Sequence, residues 1–76
     1  MSLVVHTEGV CGGRARIAGT RIDVHHIWNL YHNSNMSVKE IRNKMYPWLT
    51  FEQVKAAVEY GEANQKEMWA NIRANA

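Results

Sequence analysis

The chain has 76 residues, a formal net charge of +2 and 46% hydrophobic residues. A chain of this length holds one domain and buries only about 60% of its unfolded surface. Its single cysteine excludes an internal disulfide framework and is typical of the reducing cytosol. Because neither a signal peptide nor a membrane-spanning apolar run is visible, we expect a cytoplasmic protein with no membrane partner.

The basic residues are concentrated in the first half of the chain. Residues 1–46 contain six basic and three acidic residues, a local charge of +3. Residues 47–76 contain three basic and four acidic residues, a local charge of −1. A basic half is a weak indication of a phosphate-contacting surface, and on charge alone an ordinary solvated face is the preferred interpretation.

The first 22 residues have the pattern of a small β arm. Leu3–His6 is a β-branched run that predicts a strand, whereas Gly9–Gly13 predicts a turn, because it lacks the ending of a phosphate-binding loop. Basic and apolar residues alternate from Arg14 to Ile17, which indicates a half-buried strand. Cys11 is interpreted as a small filler, because a catalytic thiol would need a base held beside it.

A first amphipathic helix is predicted from Val24 to about Asn33, with Asp23 as its N-cap. Its polar face is formed by His25, His26, Asn29 and His32. The first and last of these histidines lie about 10.5 Å apart along the helix axis, and the two adjacent histidines diverge by about 100° around it. We therefore expect surface histidines and no metal site within one chain.

Two helix starts of the same kind follow within a short stretch. Ser37 is followed by Glu40, and Thr50 by Gln53, and both pairs fit the capping box. Pro47 stands between them and ends the first of the two helices. Helical spacing assigns two apolar stripes, formed by Val38, Ile41 and Met45 on the first helix and by Phe51, Val54 and Val58 on the second. Such a pair has the size of a helix-turn-helix unit, which serves in DNA contact or in plain packing.

A long last helix is predicted to begin at Thr50 and to run towards the C-terminus. Its apolar seam is interrupted by Gly61 and Gln65, so we expect the helix to bend or stop at Gly61. Beyond Gly61 the sequence is polar except for an apolar cluster, formed by Met68, Trp69 and Ile72. Such a cluster needs a surface to cover, which is its own core, a second copy or another protein.

Two blocks of the chain resemble one known family. The run GVCGGRARIAGTRIDV at residues 9–24 closely resembles the opening motif of the domain-of-unknown-function 433 family of small antitoxin-like proteins. Residues 36–41 together with residues 46–50 resemble the later block of that family, so the resemblance covers nearly the whole chain. Three positions depart from the proline or glycine that the family often has, namely Ala15, Asp23 and Asn35.

The resemblance implies a mostly α fold, a three-helix homeodomain-like helix-turn-helix bundle with a short N-terminal β arm and a long C-terminal helix. It also implies a VapB-type antitoxin that dimerises partly through its N-terminal strands, with a PIN-like ribonuclease toxin as partner. A homodimer is expected independently, because three Trp, three Tyr and one Phe supply more apolar surface than a small domain covers. We divide the single domain 1–76 into an arm (1–22), a helical core (23–61) and a helical extension (62–76).

Candidate binding residues follow from this interpretation. Contacts to operator DNA are assigned to Arg14, Arg16, Arg21, Lys39, Arg42, Lys44, Thr50 and Gln53. Burial in the dimer interface is assigned to Ile17 and Ile22. Contact with the toxin is assigned to Met68, Trp69, Ile72 and Arg73, because apolar anchors would position a cation near the carboxylates of a PIN-like site. The alternative for the tail is that Trp69 folds back onto its own dimer while Arg73 is solvated.

Two other classes of function were weighed. A dimeric protein-interaction module without DNA binding is the alternative, favoured by the Glu-rich last helix and the modest net charge. An enzyme is not expected, because no carboxylate pair, metal-ligand spacing or Ser/His/Asp set stands out. A chain of this size also leaves little room for a pocket beside a core, and no cofactor is expected.

Overall fold

The computed structural model describes residues 2–74 and is mostly helical, with a small two-stranded antiparallel sheet. Its elements are β1 (Val4–Val5), a 3₁₀ turn (Cys11–Gly13), β2 (Arg16–Ile17), α1 (Val24–His32), α2 (Val38–Glu40), α3 (Phe51–Ala63) and α4 (Gln65–Ala74). A π-helical segment, Ile41–Met45, continues α2. Among the described residues, no helix is both long and apolar enough to cross a membrane.

The β arm folds against the helices of its own chain. Val4 pairs with Ile17 in the antiparallel ladder. The backbone N–H of Val24 then donates to the carbonyl of Ala15 over 2.9 Å, which joins β2 to the start of α1. Ala15 and Ile17 are fully buried and Arg16 is half-buried, so the predicted alternation is confirmed.

Helix α1 has the predicted bounds to within one residue, but two of its polar residues differ from expectation. Asp23 occupies the N-cap position, yet within residues 2–74 its side chain makes no capping hydrogen bond. Its carboxylate instead accepts a hydrogen bond of 3.2 Å from Nε of Arg14. His25 was predicted on the polar surface and is 2% exposed; it lies two residues after Asp23, which forms a β-bridge with Arg16 of the arm.

The core lies where α1, α3 and α4 meet, and Trp28 is its largest fully buried side chain. Gly61 permits this packing. A Cβ added at Gly61 would lie 2.7 Å from the Cβ of Trp28 and closer still to its indole ring. The expected interruption of the helix does not fall at Gly61, because α3 continues through this glycine, whose missing side chain admits the indole, and ends at Asn64, three residues later.

The long C-terminal helix, which was predicted with a bend or a stop, is divided into two helices, α3 and α4. Helix α3 ends at Asn64, whose φ of −132° and ψ of 46° leave the helical region. The break turns α4 back towards α1, so that Met68 is fully buried. Trp69 meets Trp28 edge to face, with 5.2 Å between ring centroids.

Both predicted capping boxes are confirmed. The Ser37 hydroxyl accepts from the Glu40 backbone N–H, while the Glu40 carboxylate accepts from the Ser37 N–H, each over 3.1 Å. Thr50 and Gln53 repeat the arrangement at the start of α3. Because both boxes are satisfied locally, the sequence alone determines where α2 and α3 begin.

Candidate functional site

An open groove of about 510 Å³ lies between α2 and the start of α3. It is lined by Lys39, Arg42, Asn43, Thr50 and Phe51. Three of these five are predicted DNA contacts, so the structure brings together a cationic and hydroxyl-bearing subset of that prediction. The remaining predicted DNA contacts do not line the groove.

Arg42 is fixed at the floor of the groove by hydrogen bonds. Its Nε donates to the backbone carbonyl of Leu49 over 3.0 Å, and its Nη1 donates to Oδ1 of Asn43 over 3.1 Å. Both acceptors are neutral, so the guanidinium keeps its full charge. Lys39 is exposed beside it, whereas Lys44 lies 3.7 Å from the Glu40 carboxylate, which partly offsets its charge.

The capping box limits what Thr50 and Gln53 offer to a ligand. Oε1 of Gln53 accepts from the Thr50 N–H over 2.8 Å. The Thr50 hydroxyl oxygen accepts from the Gln53 N–H over 3.1 Å, which leaves the hydroxyl proton to donate. Bidentate reading of adenine requires both ends of the Gln amide, so Gln53 is less suited to that role than the sequence suggested.

Two arginines of the arm have structural contacts. Arg14 pairs with Asp23, and Arg16 donates to the Thr20 carbonyl over 3.0 Å and to the Thr7 hydroxyl over 2.8 Å. These bonds hold the arm in place. Arg21 is exposed.

Three apolar side chains are exposed around the turn between α2 and α3. Trp48 is 68% exposed, Phe51 46% and Met45 45%. Met45 and Phe51 were predicted in packed stripes, which is wrong, and no role was predicted for Trp48. Tyr46 supports Trp48 edge to face, with 5.7 Å between ring centroids. The sequence shows a Trp beside Pro47, but only the fold shows that no other described residue in 2–74 covers its side chain.

The residues predicted for the dimer and the toxin lie mostly within the chain's own core. Ile17 and Met68 are fully buried, and Ile22, Trp69 and Ile72 are half-buried against the same core. The tail therefore folds back onto its own chain, which is the alternative stated for Trp69. Only Arg73 of the predicted toxin contacts is exposed.

A second cluster joins the arm to the C-terminal helices. The Tyr60 hydroxyl donates to Oε1 of Glu67 over 2.7 Å, and Nε2 of His6 lies 3.0 Å from Oε2 of the same carboxylate. Partial burial, followed by the hydrogen bond to Glu67 and its charge, raises the pKa of Tyr60 to about 12. This cluster links β1, α3 and α4.

Asp23, His25 and His26 gather where the arm meets α1. One ligand atom from each lies within 4.8 Å of the other two. The spacing and divergence of the histidines on the helix predicted no metal site. Asp23, just before the helix, was not part of that prediction, and it reaches the rings of His25 and His26, whose centroids are 4.3 Å apart. Burial, followed by the charge of His26, lowers the pKa of His25, so its imidazole is neutral at pH 7.

Most of the chain matches one known protein family. Residues 4–61 match the family described as "Protein of unknown function (DUF433)". The chain belongs to this family, as the resemblance of its two sequence blocks suggested.

One solved structure has the same fold over nearly the whole chain. It is the crystal structure of a DUF433 member protein from Anabaena variabilis ATCC 29413, 37% identical, with a TM-score of 0.78. The match covers 96% of this chain and 70% of the Anabaena chain. No curated protein matches the chain.

Proposed function

We propose that the protein is a VapB-type antitoxin that binds operator DNA as a homodimer and neutralises a PIN-like ribonuclease toxin. In this proposal α1, α2 and α3 form a homeodomain-like helix-turn-helix unit, and the turn at residues 46–49 separates its last two helices. The observation that carries it is the groove between α2 and α3, where Lys39, Arg42 and Thr50 converge.

Most of the lining of the groove is apolar, but three of its residues offer groups that can contact a phosphate. Lys39 and Arg42 supply positive charge, and the Thr50 hydroxyl and the N-terminal end of α3 supply hydrogen-bond donors. Glu52, in the first turn of α3, opposes a phosphate there. Since Gln53 is engaged in its capping box, the proposed contacts position the DNA backbone more than they read bases.

The test is binding of the DNA upstream of the protein's own reading frame, measured by fluorescence anisotropy at several salt concentrations. Lys39→Ala and Arg42→Ala should each weaken binding to any DNA sequence and flatten the salt slope by about one unit. Lys66→Ala removes the same charge from α4, outside the groove, and should leave the slope unchanged. Equal slopes for all three variants would reject the groove as the DNA contact.

The antitoxin role is tested separately with the protein encoded next to it. Because Met68 and Trp69 pack on their own chain, the proposed toxin contact is confined to Arg73 and the outer edge of Ile72. Arg73→Glu should reduce inhibition of a neighbouring PIN-like ribonuclease without unfolding the antitoxin. Full inhibition by this variant would place the contact elsewhere.

A second candidate function is a dimeric interaction module without DNA binding. The exposed side chains of Met45, Trp48 and Phe51 favour it, because an apolar patch of this kind is typical of a protein contact. If Trp48→Ser abolishes self-association measured by light scattering while the wild-type protein does not bind DNA, this second function replaces the first.

A further inference from the structure

We propose that Asp23, His25 and His26 form a binding site for a divalent transition-metal ion of the Zn²⁺ class. This site lies at the junction of the arm and α1 and is separate from the groove between α2 and α3. The ligand set would be one carboxylate oxygen, Nδ1 of His25 and Nε2 of His26.

The two distances from nitrogen to carboxylate are close to those that such an ion requires, and all three ligand atoms lie within 4.8 Å of one another. Nδ1 of His25 and Nε2 of His26 lie 3.9 Å and 3.8 Å from Oδ2 of Asp23. Ligand atoms about 2.0–2.2 Å from a tetrahedral Zn²⁺ are separated by about 3.3–3.6 Å, so contraction of a few tenths of an ångström brings each imidazole nitrogen into range of the carboxylate. Two imidazoles and one carboxylate suit Zn²⁺ and similar ions, whereas Mg²⁺ and Ca²⁺ prefer oxygen ligands.

Two buried ligand atoms, one in His25 and one in Asp23, lack a hydrogen-bond partner among the described residues. This favours a missing ligand over a fully satisfied structural cluster. The side chains of His25 and Asp23 are 3% and 8% exposed. Among the described residues, Nδ1 of His25 and Oδ1 of Asp23 have no hydrogen-bond partner. A buried polar atom left in this way is costly, and a metal ion bound by Nδ1 of His25 would satisfy that nitrogen.

The third ligand provides access from solvent. The side chain of His26 is 60% exposed, so an ion can reach the site without unfolding the arm. Three protein ligands also leave one position for water, as in zinc sites that are not closed. The arm and α1 would then be joined by the ion as well as by the Val24–Ala15 backbone bond.

Arg14 is the group that opposes a cation here. Its guanidinium shares Oδ2 of Asp23, although it leaves Oδ1 unpartnered among the described residues. The side chain of Arg14 is 28% exposed and can turn towards solvent when an ion binds. The proposal therefore requires that Arg14 and the metal compete for the same carboxylate.

The experiment measures Zn²⁺ affinity of the full chain by competition with a chromogenic chelator. His26→Gln, at an exposed position, should weaken binding about tenfold or more, whereas His32→Gln, on the same helix outside the cluster, should not change it. Normal binding in His26→Gln, or a loss of binding in His32→Gln as large as that in His26→Gln, overturns the proposal.

Two further measurements keep the result independent of folding defects. Ring-nitrogen NMR should show Zn²⁺-dependent shifts at Nδ1 of His25 and Nε2 of His26, with no change at His32. Arg14→Gln should bind Zn²⁺ several-fold more tightly, because it removes the competing cation. Affinity that stays the same or falls in this variant, while its circular dichroism spectrum matches that of the wild type, contradicts the role of the Asp23 carboxylate.

Discussion

Two tryptophans of this small chain have opposite environments, one in the core and one on the surface. Trp28 is fully buried between α1, α3 and α4, while Trp48, on the turn between α2 and α3, is 68% exposed. The first indole fits against Gly61 and meets Trp69 edge to face. The second has Tyr46 beside it and little else within the described residues. The core region therefore maintains the fold, and the turn region is available for binding.

The largest expected effect comes from truncating each tryptophan in turn. Trp28→Ala should lower the free energy of unfolding by about 3–5 kcal/mol, because it leaves a large cavity in the core. Trp48→Ala should change it by no more than about 0.5 kcal/mol. Urea denaturation of both variants gives the comparison directly, and a large loss for Trp48→Ala would show that the turn is covered in solution.

The close contact between Gly61 and the Trp28 side chain provides the next test of the core region. Gly61→Ala adds a methyl group that would collide with Trp28, and we expect a loss of about 2–3 kcal/mol in unfolding free energy. Helix propensity alone predicts the opposite, a gain of about 1 kcal/mol for alanine. Glu59→Ala, exposed on the same helix, is the control, and its stability should stay within about 0.5 kcal/mol of wild type.

The capping boxes of the turn region should give smaller, local effects. Ser37→Ala and Thr50→Ala each remove one capping hydrogen bond and should cost about 1 kcal/mol in thermal unfolding. Only Thr50→Ala should also weaken DNA binding, because Ser37 does not line the groove. Equal effects of the two variants on DNA affinity would mean that capping, rather than the Thr50 hydroxyl, governs binding.

The last expected effect, similar in size to that of the capping boxes, concerns the pH dependence of the cluster formed by His6, Tyr60 and Glu67. The pKa of Tyr60 is raised to about 12, so its contribution to stability is complete below pH 10 and is lost as pH rises through 12. Allowing for its partial exposure, we expect about 1 kcal/mol. Chemical denaturation from pH 9 to 12 should show this loss in the wild type and a reduced loss in Tyr60→Phe. Equal losses would exclude Tyr60 as its source.

Local signals explain most of what was predicted correctly. The starts of α2 and α3 depend on side chains three residues apart, and the alternation from Arg14 to Ile17 depends on neighbours. The sequence contains these patterns in full, so both capping boxes and β2 were predicted. Family membership followed from short motifs in the same way.

What was missed depends on contacts between distant residues. Gly61 was interpreted as a helix terminator because no local pattern shows that Trp28, more than thirty residues earlier, lies against it. The same applies to His25, which is buried, and to Met68, which the break at Asn64 turns into the core. For the groove, sequence reasoning identified three of the five lining residues, but it could not show that capping occupies Gln53.

The position of α4 has a consequence for how this domain is delimited. The match to the family ends at residue 61. Two later residues nevertheless belong to the packed interior, since Met68 lies in the core and Trp69 contacts Trp28 edge to face. A fragment cut at the end of the family match would expose the centre of its own interior to water. The hydrophobic core therefore extends beyond the stretch that matches the family, and we expect a fragment without α4 to be less stable.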